Sequence, residues 1–169
     1  MPQEAISHVI LTSSILGMSF FFIYSAYVIS TFHQGILLKE KAENAAFLIG
    51  NEINQAIIIT ESVDIKNGTT ITKLMLDYPP LIGRDPYNIS IEETVIPPKN
   101  PAWPSPKAIK VTIQCWNSNV KAEYTFPIGE NVSLISTDNN MSSINKICIY
   151  CSRNTYANGY QISVTIKKQ

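Results

Sequence analysis

One uninterrupted apolar stretch dominates the first quarter of the chain. Between Ala5 and Leu38 the sequence has no Asp, Glu, Lys or Arg, and its most apolar part covers residues 9–32. As an α-helix this part would be roughly 36 Å long, against about 30 Å of bilayer hydrocarbon. A helix buried in a soluble core is usually shorter and has a polar face. The pattern therefore predicts a helix that crosses a membrane at about residues 7–32.

The residues that flank this stretch favour an anchor that is retained. A secretory signal peptide begins with basic residues and ends at a small-residue cleavage site. Here the flank is Met-Pro-Gln-Glu, and no Ala-x-Ala site closes the apolar run. We therefore expect an uncleaved signal anchor in a single-pass membrane protein.

A helical pattern continues beyond the apolar stretch. Apolar residues recur there at steps of three and four, with charged and amide residues mostly between them. The apolar set is Leu38, Ala42, Ala45, Ile49, Ile53 and Ala56. We expect one long helix over residues 1–59, amphipathic after its membrane-spanning part. Its Ala-rich stripe needs a partner, either the chain's own β-domain or a neighbouring subunit's helix.

Small and hydroxyl side chains occur within the apolar stretch. Ser13 and Gly17 are four residues apart, as are Ala26 and Ser30. This spacing lets two helices approach closely in lipid, which makes the four residues candidate packing positions for a homo-oligomer joined through the N-terminal helix. The alternative is that they are ordinary small residues of a membrane helix. The Ser and Thr hydroxyls can bond to the backbone one turn earlier.

From residue 60 onward apolar and polar residues alternate, which is typical of half-buried strands. The segments 108–116 and 120–128 alternate in this way, with Asn117-Ser118-Asn119 joining them, and Asn67-Gly68 favours a type I′ hairpin turn. Further strands are predicted at 70–77, 87–95, 132–137, 146–150 and 160–168. The expected fold class is α+β: the long transmembrane helix, then an all-β antiparallel, immunoglobulin-like sandwich over residues 60–169.

A proline-rich segment interrupts the strands. Residues 97–106, PPKNPAWPSP, cannot form a central strand because proline lacks the amide hydrogen that a sheet requires. We expect a stiff loop there. Trp103 within it is a candidate partner contact, and the alternative is a hydrophobic plug over the open end of the sandwich.

Composition narrows the classes of function. The 169 residues carry 13 basic and 13 acidic side chains, so nucleic acid is not an expected partner. Both histidines, His8 and His33, precede the β-domain, which excludes Ser-His-Asp catalysis and His-containing zinc sites from it. Adjacent Glu92 and Glu93 would point to opposite faces of a strand, as two solvated charges. We expect no catalytic residue, no metal and no cofactor.

Three cysteines, Cys115, Cys148 and Cys151, all follow the helix. The last two have the C-x-x-C spacing of redox and metal sites. Their flanks predict a strand and a turn, whereas a redox motif needs a helix N-terminus to lower its thiol pKa. We expect a structural disulfide from Cys115 to Cys148 or Cys151, which would contribute roughly 3–4 kcal/mol.

The sequence gives conflicting signs about the side of the membrane on which the β-domain lies. Lys39 and Lys41 follow the apolar stretch, and the positive-inside rule alone places the domain in the cytoplasm. Four N-x-S/T sequons favour the outside, as does cysteine usage that permits a disulfide. The candidate glycosylation sites are Asn67, Asn88, Asn131 and Asn140. We expect an extracytoplasmic domain.

The opening EAISHVILTSSIL, in which Ser7 and His8 lead directly into the apolar helix, resembles the start of archaellum stator-type proteins, the FlaG/FlaF-like family. The resemblance covers about the first 30 residues, together with the layout of helix and β-domain. It implies a non-enzymatic anchoring role in an archaeal cell-surface motility apparatus. The implied partners are membrane lipid and other envelope or appendage subunits, with the β-domain binding the surface layer or another subunit.

Two alternatives stay open. The long apolar helix with an early acid, Glu4, is similar to type IV pilins, which implies a subunit of an extracellular pilus-like filament. The processing site that precedes the helix in pilin precursors is missing. A membrane-tethered enzyme or binding domain for an unknown ligand is the second alternative, and it would need a convergent polar pocket in the β-domain.

Overall fold

The computed structural model describes residues 2–63, 69–98, 105–137, 141–156 and 159–168. One long helix, α1 (Pro2–Ser62), precedes all the strands, which agrees with the expected α+β class. Contacts divide the chain into two compact units, Met1–Leu37 and Leu38–Gln169. The division therefore falls inside α1, and the second part of the helix belongs to the unit that contains the strands.

Eight strands form two four-stranded sheets, with strand orders β1-β7-β8-β5 and β4-β3-β2-β6. The strands are β1 (Thr69–Met75), β2 (Tyr87–Val95), β3 (Lys107–Cys115), β4 (Lys121–Pro127), β5 (Val132–Thr137), β6 (Met141–Ser142), β7 (Ile147–Tyr156) and β8 (Gly159–Lys168). Neighbouring strands are antiparallel except β5 and β8, which are parallel. The expectation of a purely antiparallel domain is wrong at this pair, because the chain leaves β5 for the other sheet before it returns through β7 to β8.

Most predicted strands lie where the alternation placed them, and two departures have physical reasons. β7 is twice as long as the predicted segment 146–150, because it is paired on both sides and its polar residues after Cys151 continue the ladder. The hairpin predicted at Asn67-Gly68 does not join two paired strands: α1 precedes it, and β1 pairs with β7. Residues 64–68 themselves lie outside the described residues.

The second unit has one hydrophobic core, and α1 is part of it. Seven helix residues are at most 4% exposed and share a cluster with apolar residues of both sheets. They are Ala42, Ala45, Ala46, Ile49, Ile53, Ala56 and Ile57. Of the two partners that the sequence left open for the Ala-rich stripe, the structure shows the chain's own β-domain.

α1 closes one open side between the two sheets. Thr60 Oγ1 lies 3.0 Å from Thr72 Oγ1 on the edge strand β1. A Cβ placed on Gly50 would lie 2.5 Å from the Tyr124 ring on β4, the edge strand of the other sheet. Across the domain, the amide of Leu134 on β5 donates to the Glu93 carboxylate on β2 at 3.2 Å. The helix therefore forms the wall between β1 and β4.

Candidate functional site

Residues 6–37 of α1 expose apolar side chains on all sides. Phe20, Phe21 and Phe22 are 67–71% exposed, and within this stretch only Ser25 is as much as half-buried. Among the described elements, α1 is the helix that is long and apolar enough to cross a membrane. Because each Å² of apolar surface in water costs about 25 cal/mol, this segment fits a lipid or protein environment.

Hydroxyl groups in this segment bond to the helix backbone, as predicted. Ser14 donates to the oxygen of Ile10 at 2.8 Å, and Ser19 donates to that of Ile15 at 2.9 Å. These bonds satisfy the hydroxyls without water, so they do not prevent insertion into lipid.

The four small residues of the apolar segment are exposed. They are Ser13, Gly17, Ala26 and Ser30. A Cβ placed on Gly17 would meet nothing within 4 Å, so this face of the single chain is open to a neighbour. A role of the four residues in helix packing stays a prediction.

The outer face of α1 beyond Asn44 is almost free of charge. Glu52 is the one charged residue between Asn44 and Thr60, and its carboxylate accepts the Asp77 amide at 3.0 Å. Burial raises the pKa of Glu52, while that bond acts in the opposite direction. What we call the outer helix face consists of Phe47, Leu48, Gln55, Ile58 and Ile59, all exposed. A helix that faces water usually carries charged residues there.

The C-terminal end of α1 is capped by Arg153 from β7. Its Nη1 donates to the backbone oxygens of Glu61 at 2.6 Å and Val63 at 2.7 Å. Its guanidinium lies 4.2 Å from the centroid of the Tyr160 ring. The last carbonyls of a helix have no partner within it, and a cation there complements the helix dipole. Sequence reasoning missed this residue, although an Arg that continues an apolar strand face is a signal for it.

All three cysteines are free and buried, so the expected disulfide from Cys115 to Cys148 or Cys151 is not formed in the structure. Cys115 ends β3 in one sheet, whereas the other two lie in β7 of the second sheet. Burial raises the pKa of Cys151 to about 11, although a hydrogen bond to Thr60 acts in the other direction. Burial also raises the pKa of Cys115. Thiols with raised pKa values are poor nucleophiles, so burial makes Cys115 and Cys151 less reactive than ordinary cysteines.

Two of the four sequons fall within the described residues. Asn88 lies on β2 between β3 and β6, and its Oδ1 accepts a bond from Trp116 Nε1 at 2.8 Å. Asn131 lies in the turn before β5 and is half-buried. Asn67 and Asn140 lie outside the described residues, as does the candidate contact Trp103.

Charged side chains on the sheet β4-β3-β2-β6 pair across strands. Lys110 lies 3.2 Å from Glu123 and 3.6 Å from Glu92, and Glu93 lies 3.7 Å from Lys107. The hydrogen bond with Glu123 raises the pKa of Lys110. Such exposed pairs contribute little to stability. In the part of the chain that the structure describes, no group of three or more His, Cys, Asp or Glu is placed to hold a metal ion.

Comparisons with known proteins identify no relative. No protein-family model, no curated protein and no solved structure matches the chain. The residues and their contacts are therefore the basis for a functional proposal.

Proposed function

We propose that this chain is a non-enzymatic, membrane-anchored structural protein whose β-domain contacts other components of the cell envelope. One observation carries the proposal: the helix that contains the exposed apolar segment also supplies the core of the β-domain. Force on the domain would therefore reach the lipid through a hydrogen-bonded helix instead of a flexible linker. An anchor or a stator requires that kind of connection.

The specific role in this proposal is stator-like, within an archaeal cell-surface motility apparatus. The β-domain lies outside the membrane and binds the surface layer or another subunit. The opening with Ser7 and His8 supports this role. We also propose an immunoglobulin-like arrangement of the two sheets, which is supported by repeated passage of the chain between them, at β1–β2, β4–β5, β5–β6 and β6–β7.

Labelling of intact cells tests the side of the membrane. Glu130 is exposed in the turn before β5, so Glu130→Cys offers a reactive thiol. A membrane-impermeant maleimide should label this variant on intact cells. The natural chain is the control, because its three cysteines are buried. Labelling that appears only after the cells are broken would place the domain in the cytoplasm and refute this part of the proposal.

A subunit of a pilus-like filament is the second candidate, and the outer helix face favours it. Phe47, Leu48, Ile58 and Ile59 are 45–53% exposed, and amides accompany them instead of charges. Amide groups both donate and accept, so identical helices can pair them without charge repulsion.

Removal of the chain from its host separates the two candidates. Loss of a stator leaves surface filaments visible by electron microscopy on cells that no longer swim. Loss of a filament subunit removes the filaments. The intact mass of native protein adds a second criterion, because an anchor retains Met1 or Pro2 whereas a pilin-like subunit is trimmed.

A further inference from the structure

One side of strand β2 is free over most of its length. β2 pairs with β3 along its whole length, but on its other side β6 reaches only Asn88 and Ile89. Among the described strands, residues 90–95 therefore have a neighbour on one side alone. We call this side of residues 90–95 the free edge of β2. An unpaired strand edge is a template for pairing with another chain.

Hydrogen bonds at the two ends of β2 show which residues direct their backbone groups to the free edge. The Ile96 amide donates at 3.1 Å to the oxygen of Pro106, just before β3. The oxygen of Tyr87 accepts the amide of Ser143, just after β6, at 2.8 Å. Because this direction alternates along a strand, even-numbered residues face β3. The N–H and C=O groups that point to the free edge are those of residues 91, 93 and 95.

A groove of about 280 Å³ lies beside the free edge. Four consecutive residues of β2, 90–93, line it, together with Leu134 and Ile135 of β5. Successive side chains of a strand point to opposite faces, so a groove lined by four in a row lies along the strand and not over one face. Ile135 is 64% exposed. The groove gives a further strand room to approach β2.

The free edge is bounded at both ends. β6 occupies the positions beside Asn88 and Ile89, and Pro97 and Pro98 follow β2. Proline has no amide hydrogen to donate, so a ladder cannot continue through it. Val95 is 54% exposed, although it shares a strand face with residues that are buried at 87, 89 and 91. A partner strand is therefore limited to about residues 91–96.

Charged side chains near the free edge already have partners. Glu92 lies 3.6 Å from Lys110, and Glu93 lies 3.7 Å from Lys107. A strongly charged partner would gain no unpaired opposite charge here. The occupant that fits is a strand that offers backbone groups and brings no excess charge.

A second copy of β2 meets this requirement in one register. Antiparallel pairing centred on Glu92 or on Glu93 would place two identical acids directly opposite each other, which is destabilising. Pairing centred on Thr94 avoids this clash. It places Glu93 of each protomer opposite Val95 of the other, and the two threonines form a favourable cross-strand pair.

We propose that β2 pairs antiparallel with β2 of a second copy of this chain, about a two-fold axis at Thr94. The sheet β4-β3-β2 then continues from one protomer into the other. Glu93 and Val95 of the two protomers exchange roughly four backbone hydrogen bonds, since opposite residues of such a pair exchange two. The contact uses the same surface of both copies, as two-fold dimers do. It goes beyond the proposed function and does not depend on membrane anchoring.

Disulfide cross-linking of the full chain in detergent tests the register. In the paired arrangement the two Thr94 Cα atoms would lie about 4.5 Å apart, within the range that a disulfide spans. Thr94→Cys should therefore give a covalent dimer after mild oxidation, visible on a non-reducing gel. The natural chain controls for its own three cysteines, which are buried.

Ser90→Cys is the matched control on the same strand face. Pairing centred on Thr94 would place the two copies of Ser90 eight residues apart along the strand, roughly 27 Å. Ser90 is the more exposed of the two residues, so random collision would favour it. We expect roughly ten times more dimer from Thr94→Cys. Similar yields from the two variants, or no dimer from either, would overturn the proposal and leave the free edge to a strand from another protein.

A proline separates backbone pairing from side-chain contact. On the Thr94→Cys background, Val95→Pro removes an amide hydrogen that points to the free edge and leaves the ladder with β3 intact. Cross-linking should fall about tenfold, whereas Val95→Ala should keep it. Circular dichroism shows whether both variants fold. Equal cross-linking in two folded variants would refute the pairing, and if Val95→Pro unfolds, the comparison with Ser90→Cys decides alone.

Discussion

The guanidinium of Arg153 joins strand β7 to the carbonyl end of α1, with Nη1 only 2.6 Å from the backbone oxygen of Glu61. Arg153→Met removes the donor and leaves that oxygen and the oxygen of Val63 unpaired. We expect a loss of about 2–3 kcal/mol in the free energy of unfolding, since hydrogen bonds from charged groups are worth that much. Chemical denaturation of the detergent-solubilised full chain measures it.

A second arginine provides the control for this substitution. Arg84 is exposed, and Arg84→Met should change stability by less than about 0.5 kcal/mol. Arg153→Lys should fall between the two, because lysine keeps the charge but lacks the fork of donors. Similar losses of unfolding free energy for Arg153→Met and Arg84→Met would show that capping of α1 by Arg153 does not contribute to stability.

Gly50 lies where α1 closely approaches β4. Gly50→Ala would place a methyl group 2.5 Å from Tyr124 Cδ1, so the ring must move away from Phe47 and Phe126. We expect a loss of about 1–3 kcal/mol from overpacking, although alanine is the better helix former. Thermal unfolding of the full chain checks this.

Two further variants identify the cause of that loss. A Cβ placed on Gly35 meets nothing within 4 Å, so Gly35→Ala should be neutral or stabilising. In the double variant Gly50→Ala with Tyr124→Leu, part of the cost should disappear because the ring is gone. Strict additivity of the two changes would contradict the steric explanation.

The sequence predicted the positions of the strands better than the packing of α1 against them. Alternation located β2 and β5 to the residue. In β2 the reason is visible, because Tyr87, Ile89 and Ile91 are buried and the residues between them are not. The pattern could not show that Ala42 and Ile53 pack against the sheets. An Ala-rich stripe on a helix can pack equally well against a sheet or against another helix.

A truncation tests the role of α1 in the core. A chain that begins at residue 38 retains every buried helix residue, and we expect it to unfold cooperatively. A chain that begins at residue 60 lacks Ile49, Ile53 and Ile57, and burial of each is worth roughly 1.5–3 kcal/mol. Because a whole domain is stable by only about 5–15 kcal/mol, the shorter chain should not fold. Far- and near-ultraviolet circular dichroism distinguishes the outcomes, and a native-like spectrum from residue 60 onward would contradict the assignment.

Thiol counting decides the state of the cysteines. Cys115, Cys148 and Cys151 are buried and free, so Ellman's reagent should react slowly with the native chain and should find three thiols after non-reducing denaturation. A count of one would establish the disulfide that the sequence suggested. The same assay on reduced protein controls for oxidation during purification.

The raised pKa of Cys151 should make the free energy of unfolding fall at alkaline pH. Its pKa is about 11 in the folded chain against an ordinary value of 9.0, because burial disfavours the thiolate. The contribution of the neutral thiol is therefore complete below pH 9 and is lost as the pH rises from 9 towards 11. The free energy of unfolding should fall between pH 9 and 11 more steeply in the natural chain than in Cys151→Ala. Equal slopes would show that this thiol ionises as readily folded as unfolded.

The two described sequons should differ as acceptors if the domain is exported to a glycosylating compartment. Asn88 lies inside a sheet and holds the Trp116 indole, whereas Asn131 lies in a turn next to the edge strand β5. We expect glycan on Asn131 and none on Asn88. Intact mass of the natural chain, of Asn131→Gln and of Asn88→Gln provides the measurement, and a mass loss with Asn88→Gln alone would reverse the assignment.

The position of β8 has a consequence for how this protein is made. β8 is the last strand of the chain, yet it lies between β7 and β5. During synthesis β5 has no neighbour within its own sheet until residues 159–168 have left the ribosome, although the apolar segment of α1 emerged first. A chain that stopped before β8 would leave β5 without its partner and β7 paired on one side alone, so we expect this sheet to form only after residues 159–168 have been made.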